Sequence, residues 1–279
     1  MIIYTVNTDQ YDIMSKNHVF HKNVKYVCFY SGEINKVGKW EYIKVNRNRN
    51  SLVQSRQYKI NYYNFFPNEK TVYIDSNRLM KKNFVDKCKQ IFDKSDFAVL
   101  KHPSRKSFLD ELVDWYLISV IKQKDFKKII KLFEQYNYDY NSHLCPHLYC
   151  IWRNDNFLNR DFSKQWWKNY NILKLRDQLL FSLTLQQKSY KPLIIKKDNF
   201  TNKQIHFKTY QKNKKKIKNI FKIINNIRKL TPRNLSFSLD TLKWRNIKNI
   251  WVSILNTIHF RNLKTSVYYL EKIVKSFLN

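Results

Sequence analysis

The sequence predicts an α/β fold: a mainly parallel central sheet flanked by helices, with a basic helical region appended after it. Three observations carry this expectation. Short apolar runs rich in β-branched and aromatic residues alternate with segments of helical periodicity. One such run, Thr71-Val72-Tyr73-Ile74, stops abruptly at Asp75-Ser76-Asn77, which is how a buried strand delivers a carboxylate to the rim of a sheet. Beyond residue 200 the only acids are Asp240 and Glu271, in a stretch crowded with lysine.

Taken in order, residues 2–6 read as a buried first strand, 26–30 as a second and 40–45 as a third. A helix over 54–65 leads into the strand at 71–75. Residues 82–92 alternate basic and apolar positions at helical spacing, and 97–100 is again strand-like. Ser107, with Asp110 three residues on, is a capping signal for a helix whose apolar stripe is Leu109, Leu112, Val113, Tyr116 and Val120. Further helices are expected over 124–135, 161–170 and 176–187, with a strand at 148–152. Ile217, Ile220, Phe221, Ile224 and Ile227 recur at helical spacing, so the basic region is amphipathic helix. The expected division is a domain over 1–200 and a basic α-helical region over 201–279.

Composition excludes several classes. Gly32 and Gly38 are the only glycines, so neither a Walker A loop nor a G-x-G-x-x-G fingerprint exists, and phosphate must be held by side chains, helix ends or a metal. A net charge of +32 attracts polyanions; AT-rich coding, which favours lysine, is the plainer source of part of it. The start Met-Ile-Ile-Tyr-Thr-Val lacks the basic segment and cleavage site of a signal peptide, and no uncharged apolar run has membrane-spanning length. With Cys28, Cys88, Cys145 and Cys150 expected as thiols, this points to the cytoplasm, or a host's cytoplasm if the chain is viral. His143, Cys145, His147 and Cys150 crowd too closely to close one zinc tetrahedron.

Seven fragments then fall in order. Tyr4-Thr5-Val6-Asn7-Thr8-Asp9-Gln10-Tyr11-Asp12 is followed by Lys25-Tyr26-Val27-Cys28-Phe29-Tyr30, Trp40, Arg56-Gln57-Tyr58-Lys59, Tyr73-Ile74-Asp75-Ser76-Asn77, His102-Pro103 with Arg105, and Arg176-Asp177-Gln178-Leu179-Leu180-Phe181. Over residues 2–195 this order resembles a glycosyltransferase-like domain family of GT-A type, found in plant cell-wall and mucilage proteins and in bacterial and viral genomes. Its signatures include W-I-D-x-N and R-D-Q-x-x-F. The chain departs from it at Thr8-Asp9-Gln10, where the family has a glycine pair, and at 141–147, where the family reads N-G-L-x-E.

The resemblance implies a GT-A-like fold and a nucleotide diphospho-sugar donor held through Mn²⁺ or Mg²⁺. Asp75 and Asn77 are then the metal ligands, since two hard oxygen donors plus phosphates suit such ions. Arg56 and Lys59, one helical turn apart, suit phosphate, as does Arg105; both also read as a solvated pair. Asp9, Tyr11 and Asp12 would meet base and ribose, and His102 the donor or acceptor. Asp177 is the first choice for the general base of an inverting reaction; in a retaining one Asp177 or Gln178 orients the donor beside Arg176, and as a plain helix cap Asp177 does neither. The charge suggests a polyanionic acceptor, a hydroxymethylated base in DNA tracked by the basic C-terminal helices, as in viral DNA modification. The alternatives are a cell-surface glycan acceptor, with those helices resting peripherally on anionic lipid, and a non-catalytic nucleic-acid-binding protein on a degenerate transferase fold.

Overall fold

The computed structural model describes residues 1–9, 12, 14, 16–48, 50–103, 105, 107–117, 121–139 and 146–203. Tyr11 and the expected basic helices therefore lie outside the described residues. By compactness the chain divides into Met1–His206 and Phe207–Asn279.

Nine strands and six α-helices make up the described part. They run β1 (Ile2–Thr8), β2 (Lys25–Ser31), β3 (Glu41–Lys44), α1 (Ser51–Ile60), β4 (Lys70–Ile74), β5 (Arg78–Met80), α2 (Phe84–Phe92) and β6 (Phe97–Lys101). Then come α3 (Phe108–Leu117), α4 (Gln123–Gln135), β7 (Pro146–Asn154), α5 (Phe157–Leu173), α6 (Asp177–Gln187), β8 (Leu193–Ile195) and β9 (Thr201–Lys203). Local capping signals explain three of the six helix starts. Asn50 accepts from the Val53 N–H at 3.1 Å to open α1, and Asn156 accepts from Asn159 at 2.9 Å to open α5. Before α3, Ser107 and Asp110 exchange reciprocal side-chain bonds of 3.2 Å with each other's backbone N–H, as the sequence signal implies.

Seven strands form the main sheet in the order β3-β2-β1-β4-β7-β6-β8, and β5 pairs with β9 in a separate ribbon. Every neighbouring pair from β3 to β4 is parallel, as is β6 with β8, while β7 is antiparallel to both β4 and β6. The expected mixed, mainly parallel sheet is thus present, with β7 as its one reversed strand. Its central strands are buried on both faces, which explains their unbroken apolar runs. One face packs Ile3, Val72, Ile74, Trp152 and Phe200 against Phe84 and Cys88 of α2. Phe162, Trp166 and Phe181 of α5 and α6 pack among themselves with Phe97. Thr201–Lys203, just past the expected boundary at 200, is strand in register with Arg78–Met80.

The strand order places the site. From β1 the chain turns outward to β2 and β3, then returns through α1 to β4 on the other side of β1. The carboxyl ends of β1 and β4 therefore flank a topological switch point, the crevice where open α/β sheets bind ligands.

Candidate active site

Asp75 follows β4 directly, at this switch point, and is half-buried. Its N–H donates to the Tyr149 carbonyl at 2.8 Å, and its own carbonyl accepts from the Arg78 N–H at 2.9 Å, so the turn is pinned on both sides. The Tyr73 hydroxyl donates to Asp75 Oδ1 at 2.7 Å. Burial, then the Asp75 charge, pushes the Tyr73 phenol well up, so it remains a neutral donor. Ser76 donates to an Asp12 carboxylate oxygen, joining the loop after β1 to the end of β4. Asp12 is therefore brought to the residue after Asp75, and half-buried Asn77 follows one residue on.

Helix α1 turns Arg56 and Lys59 toward the same edge, and both meet Asp177 at the first turn of α6. Arg56 Nε lies 2.9 Å from Asp177 Oδ1, and Lys59 Nζ 2.7 Å from Oδ2. Lys59 Nζ also stands 4.9 Å from the centre of the Tyr73 ring. Arg176 stacks on Trp115 with its Cζ 3.8 Å from the ring centre. Three cations thus converge on one carboxylate in a largely buried setting. Burial alone would raise the Asp177 pKa; the charges of Arg56, Lys59 and Arg176 outweigh it and hold the carboxyl well below the usual range. Burial lowers the Lys59 pKa against the pull of Asp177 and Asp75. Asp177 is 3 % exposed with a cation at each oxygen, the geometry of a charge anchor. Gln178, beside it, is also buried.

A second group borders the first. The His102 and His147 rings lie 4.7 Å apart, and His102 Nδ1 accepts from the Arg105 N–H at 2.9 Å. Burial, then neighbouring cations, pushes His102 down to about 3 and His147 down to about 2, so both are neutral imidazoles. Arg105 bonds Glu111, whose other oxygen accepts from Trp115 Nε1. Arg78 lies flat on Tyr149, 3.4 Å from the ring centre, and Tyr149 donates to Asp198. Asp9 is engaged elsewhere: its carboxylate meets Arg47 at 2.9 Å, and its φ is +54°.

Arg78, Glu111, Trp115, Tyr149 and Arg153 were not singled out from the sequence. Arg153 is fully buried on β7 and donates to the Lys59 carbonyl at 2.8 Å and to Tyr4 Oη, with its guanidinium 4.0 Å from the Tyr62 ring centre. It secures the C-terminal end of α1, where a cation is favoured by the helix dipole, and so fixes Lys59. The signal that could have found it is a charge closing the apolar run Leu148–Trp152.

Among the described residues no group of three or more His, Cys, Asp and Glu could cage a metal. Cys28, Cys88 and Cys150 are buried free thiols, pushed up by burial. A cavity of about 370 Å³ lies elsewhere, at the amino ends of β2 and β3, lined by Phe20, Lys22, Lys25, Tyr26 and Lys39. The strand-end carboxylate is at the opposite edge, so that cavity is not this site. No helix of the described residues is long and apolar enough to cross a membrane.

No protein-family model matches the chain, and no curated protein matches its sequence. Solved structures with a similar layout include mouse xyloside xylosyltransferase 1 in its apo form, at 9 % identity and a TM-score of 0.40 over 70 % of this chain and 84 % of that one. A Bacillus anthracis protein assigned as a glucose-1-phosphate thymidylyltransferase, in complex with a sucrose, has 7 % identity and a TM-score of 0.40 over 78 % of this chain and 96 % of that one. The apo WbbM bifunctional glycosyltransferase has 13 % identity and a TM-score of 0.41 over 85 % of this chain and 50 % of that one. These likenesses are too distant to assign a family, an activity or a ligand.

Proposed function

We propose that the chain is a glycosyltransferase that takes a nucleotide diphospho-sugar at the carboxyl edge of its sheet and passes the sugar to a hydroxyl acceptor, a hydroxymethylated base in DNA. One observation carries the donor half: a half-buried carboxylate, Asp75, stands at the switch point close to Arg56 and Lys59, which both pair with Asp177, with Arg176 next to that carboxylate. Largely buried positive charge is costly unless an anion answers it. A diphosphate is such an anion, and the strand-end crevice is where it would sit.

The donor set fits Mg²⁺ or Mn²⁺ in one mode only. Asp75 and Asn77 offer two oxygens, and without a cage of acidic residues the other positions would fall to phosphates and water, as these ions accept. Bound there, the ion would polarise the phosphate oxygens. Arg56, Lys59 and Arg176 then offset charge on the leaving diphosphate, a stabilisation that grows as the bond breaks. Asp12 borders the crevice from the β1 side for base or ribose, while Asp9 is held by Arg47, and His102 with Arg105 borders it from the β6 side. Asp177, held ionised by its cations, is a weak base, so its role in this reading is to position Arg56 and Lys59, with Gln178 beside them.

Thermal denaturation with uridine, guanosine and cytidine diphospho-sugars, with and without Mn²⁺, tests the donor. One nucleotide class should raise the wild-type midpoint, by about 2.7 kcal/mol of apparent stability at 100-fold excess over Kd, and Asp75→Ala should abolish the rise. No response to any donor overturns the reading. For the acceptor, hydroxymethylated and plain DNA are incubated with the matching donor, digested and weighed as nucleosides; absence of any added sugar rejects DNA.

A further inference from the structure

Helix α4 carries Phe126, Ile129 and Phe133 into the core and turns Lys124, Lys127, Lys128 and Lys131 outward, with Lys122 just before its start. All five lysines are exposed. Among the described residues none of them enters an ion pair, although Asp125 and Glu134 lie on the same helix. The helix instead sets Lys124 against Lys128 and Lys127 against Lys131, like charges four apart, an arrangement that destabilises a helix. Other exposed helix faces are mixed: α2 interleaves Asp86 with Lys87 and Lys89, and α5 sets Asp161 beside Lys164. With four exposed lysines against one exposed acid, Glu134 in its last turn, α4 carries more exposed cations than any other described helix.

We infer that the exposed lysine face of α4 is a docking strip for the phosphodiester backbone of nucleic acid. From Lys124 to Lys131 the helix advances about 10 Å at 1.5 Å per residue. One strand of duplex DNA carries a phosphate about every 3.4 Å of axis, so the strip spans about three phosphates. An anionic membrane is a poorer partner. An interfacial helix needs its apolar face free to enter lipid, and here that face is in the core; among the described residues Tyr136, just past the helix, is the large exposed hydrophobic nearby. α4 packs on α3, whose Glu111 and Trp115 meet Arg105 and Arg176, so nucleic acid on the strip would lie one helix from the candidate site. The strip requires no transferase activity; if the DNA acceptor proposed above is correct, it would help hold that acceptor.

The test is the salt dependence of binding of the full chain to duplex DNA, single-stranded DNA and duplex RNA, with no donor present. Its variant is K124Q/K127Q/K128Q/K131Q, which exchanges good helix formers on a solvated face. Its control, K82Q/K89Q/K94Q/K168Q, removes the same charge from exposed positions elsewhere. Each phosphate contact contributes about 0.9 to the slope of log K against log salt on B-DNA. The α4 variant should therefore show a slope shallower by about 3 and at least ten-fold weaker duplex binding at low salt, while the control stays within about 1 of wild type. Equal loss in both variants, or no change in the α4 variant, overturns the inference. So does unchanged nucleic-acid binding with lost binding to phosphatidylserine vesicles. The donor-induced thermal shift is read on the same variant: if it persists while DNA binding falls, the strip and the donor site are separate, and a missing shift in wild type as well would count against the donor alone.

Discussion

Asp177 lies between Arg56 and Lys59, and its loss would strand both cations in a setting that cannot solvate them. Asp177→Ala should therefore cost about 3–5 kcal/mol, read from the urea midpoint, far more than a helix cap is worth. The pH dependence has a defined sign. The folded pKa of Asp177 is lowered, so its contribution is fully present above the ordinary carboxylate pKa of about 3.9 and fades as pH falls through the lower folded value. The stability difference between wild type and Asp177→Asn should shrink steadily below about pH 4; a difference independent of pH would show that the carboxylate is not held ionised. The identities of Arg56, Lys59, Asp75 and Asp177 as site candidates were legible in the sequence. Their partnership was not, because Arg56 and Asp177 are 121 positions apart and nothing local links them.

Most elements were legible where their cause is local. The start of α3 is the clearest case: Ser107 and Asp110 are three residues apart, and the reciprocal bonds between them need no other part of the chain. Ser107→Ala should cost about 1 kcal/mol in chemical denaturation, and Ser107→Asp should restore most of it; an unchanged midpoint would mean that packing of Phe108 and Leu112 alone sets this helix. β5, β8 and β9 went unseen because each has only three residues and is strand only through a distant partner, as Arg78–Met80 is through Thr201–Lys203. The reversal of β7 was equally hidden, since an apolar run has the same pattern in either direction.

For the whole molecule, the first compact unit extends to His206 and includes Phe200, which is 2 % exposed and packs on Trp152 and Phe84. A chain ending at 206 should unfold cooperatively. One ending at 199 loses Phe200 and the β5–β9 ribbon and should be less stable by at least about 2 kcal/mol, the value of burying one large aromatic side chain. Equal midpoints for the two would place the boundary at 200.

By itself the sequence determined the alternation of strands and helices, the strand-end carboxylate Asp75, the absence of a glycine phosphate loop and the excess of positive charge. Each of these follows from residue type, spacing along the chain or simple counting. Only the tertiary structure decided that Asp12, Asp75, Lys59 and Asp177 come to one edge, that Arg153 anchors the helix carrying Lys59, and that α4 turns four lysines to solvent. The physical reason is strand order. The chain's return to pair β4 beside β1 creates the crevice, and that pairing is a contact between residues about 70 positions apart that no local pattern encodes.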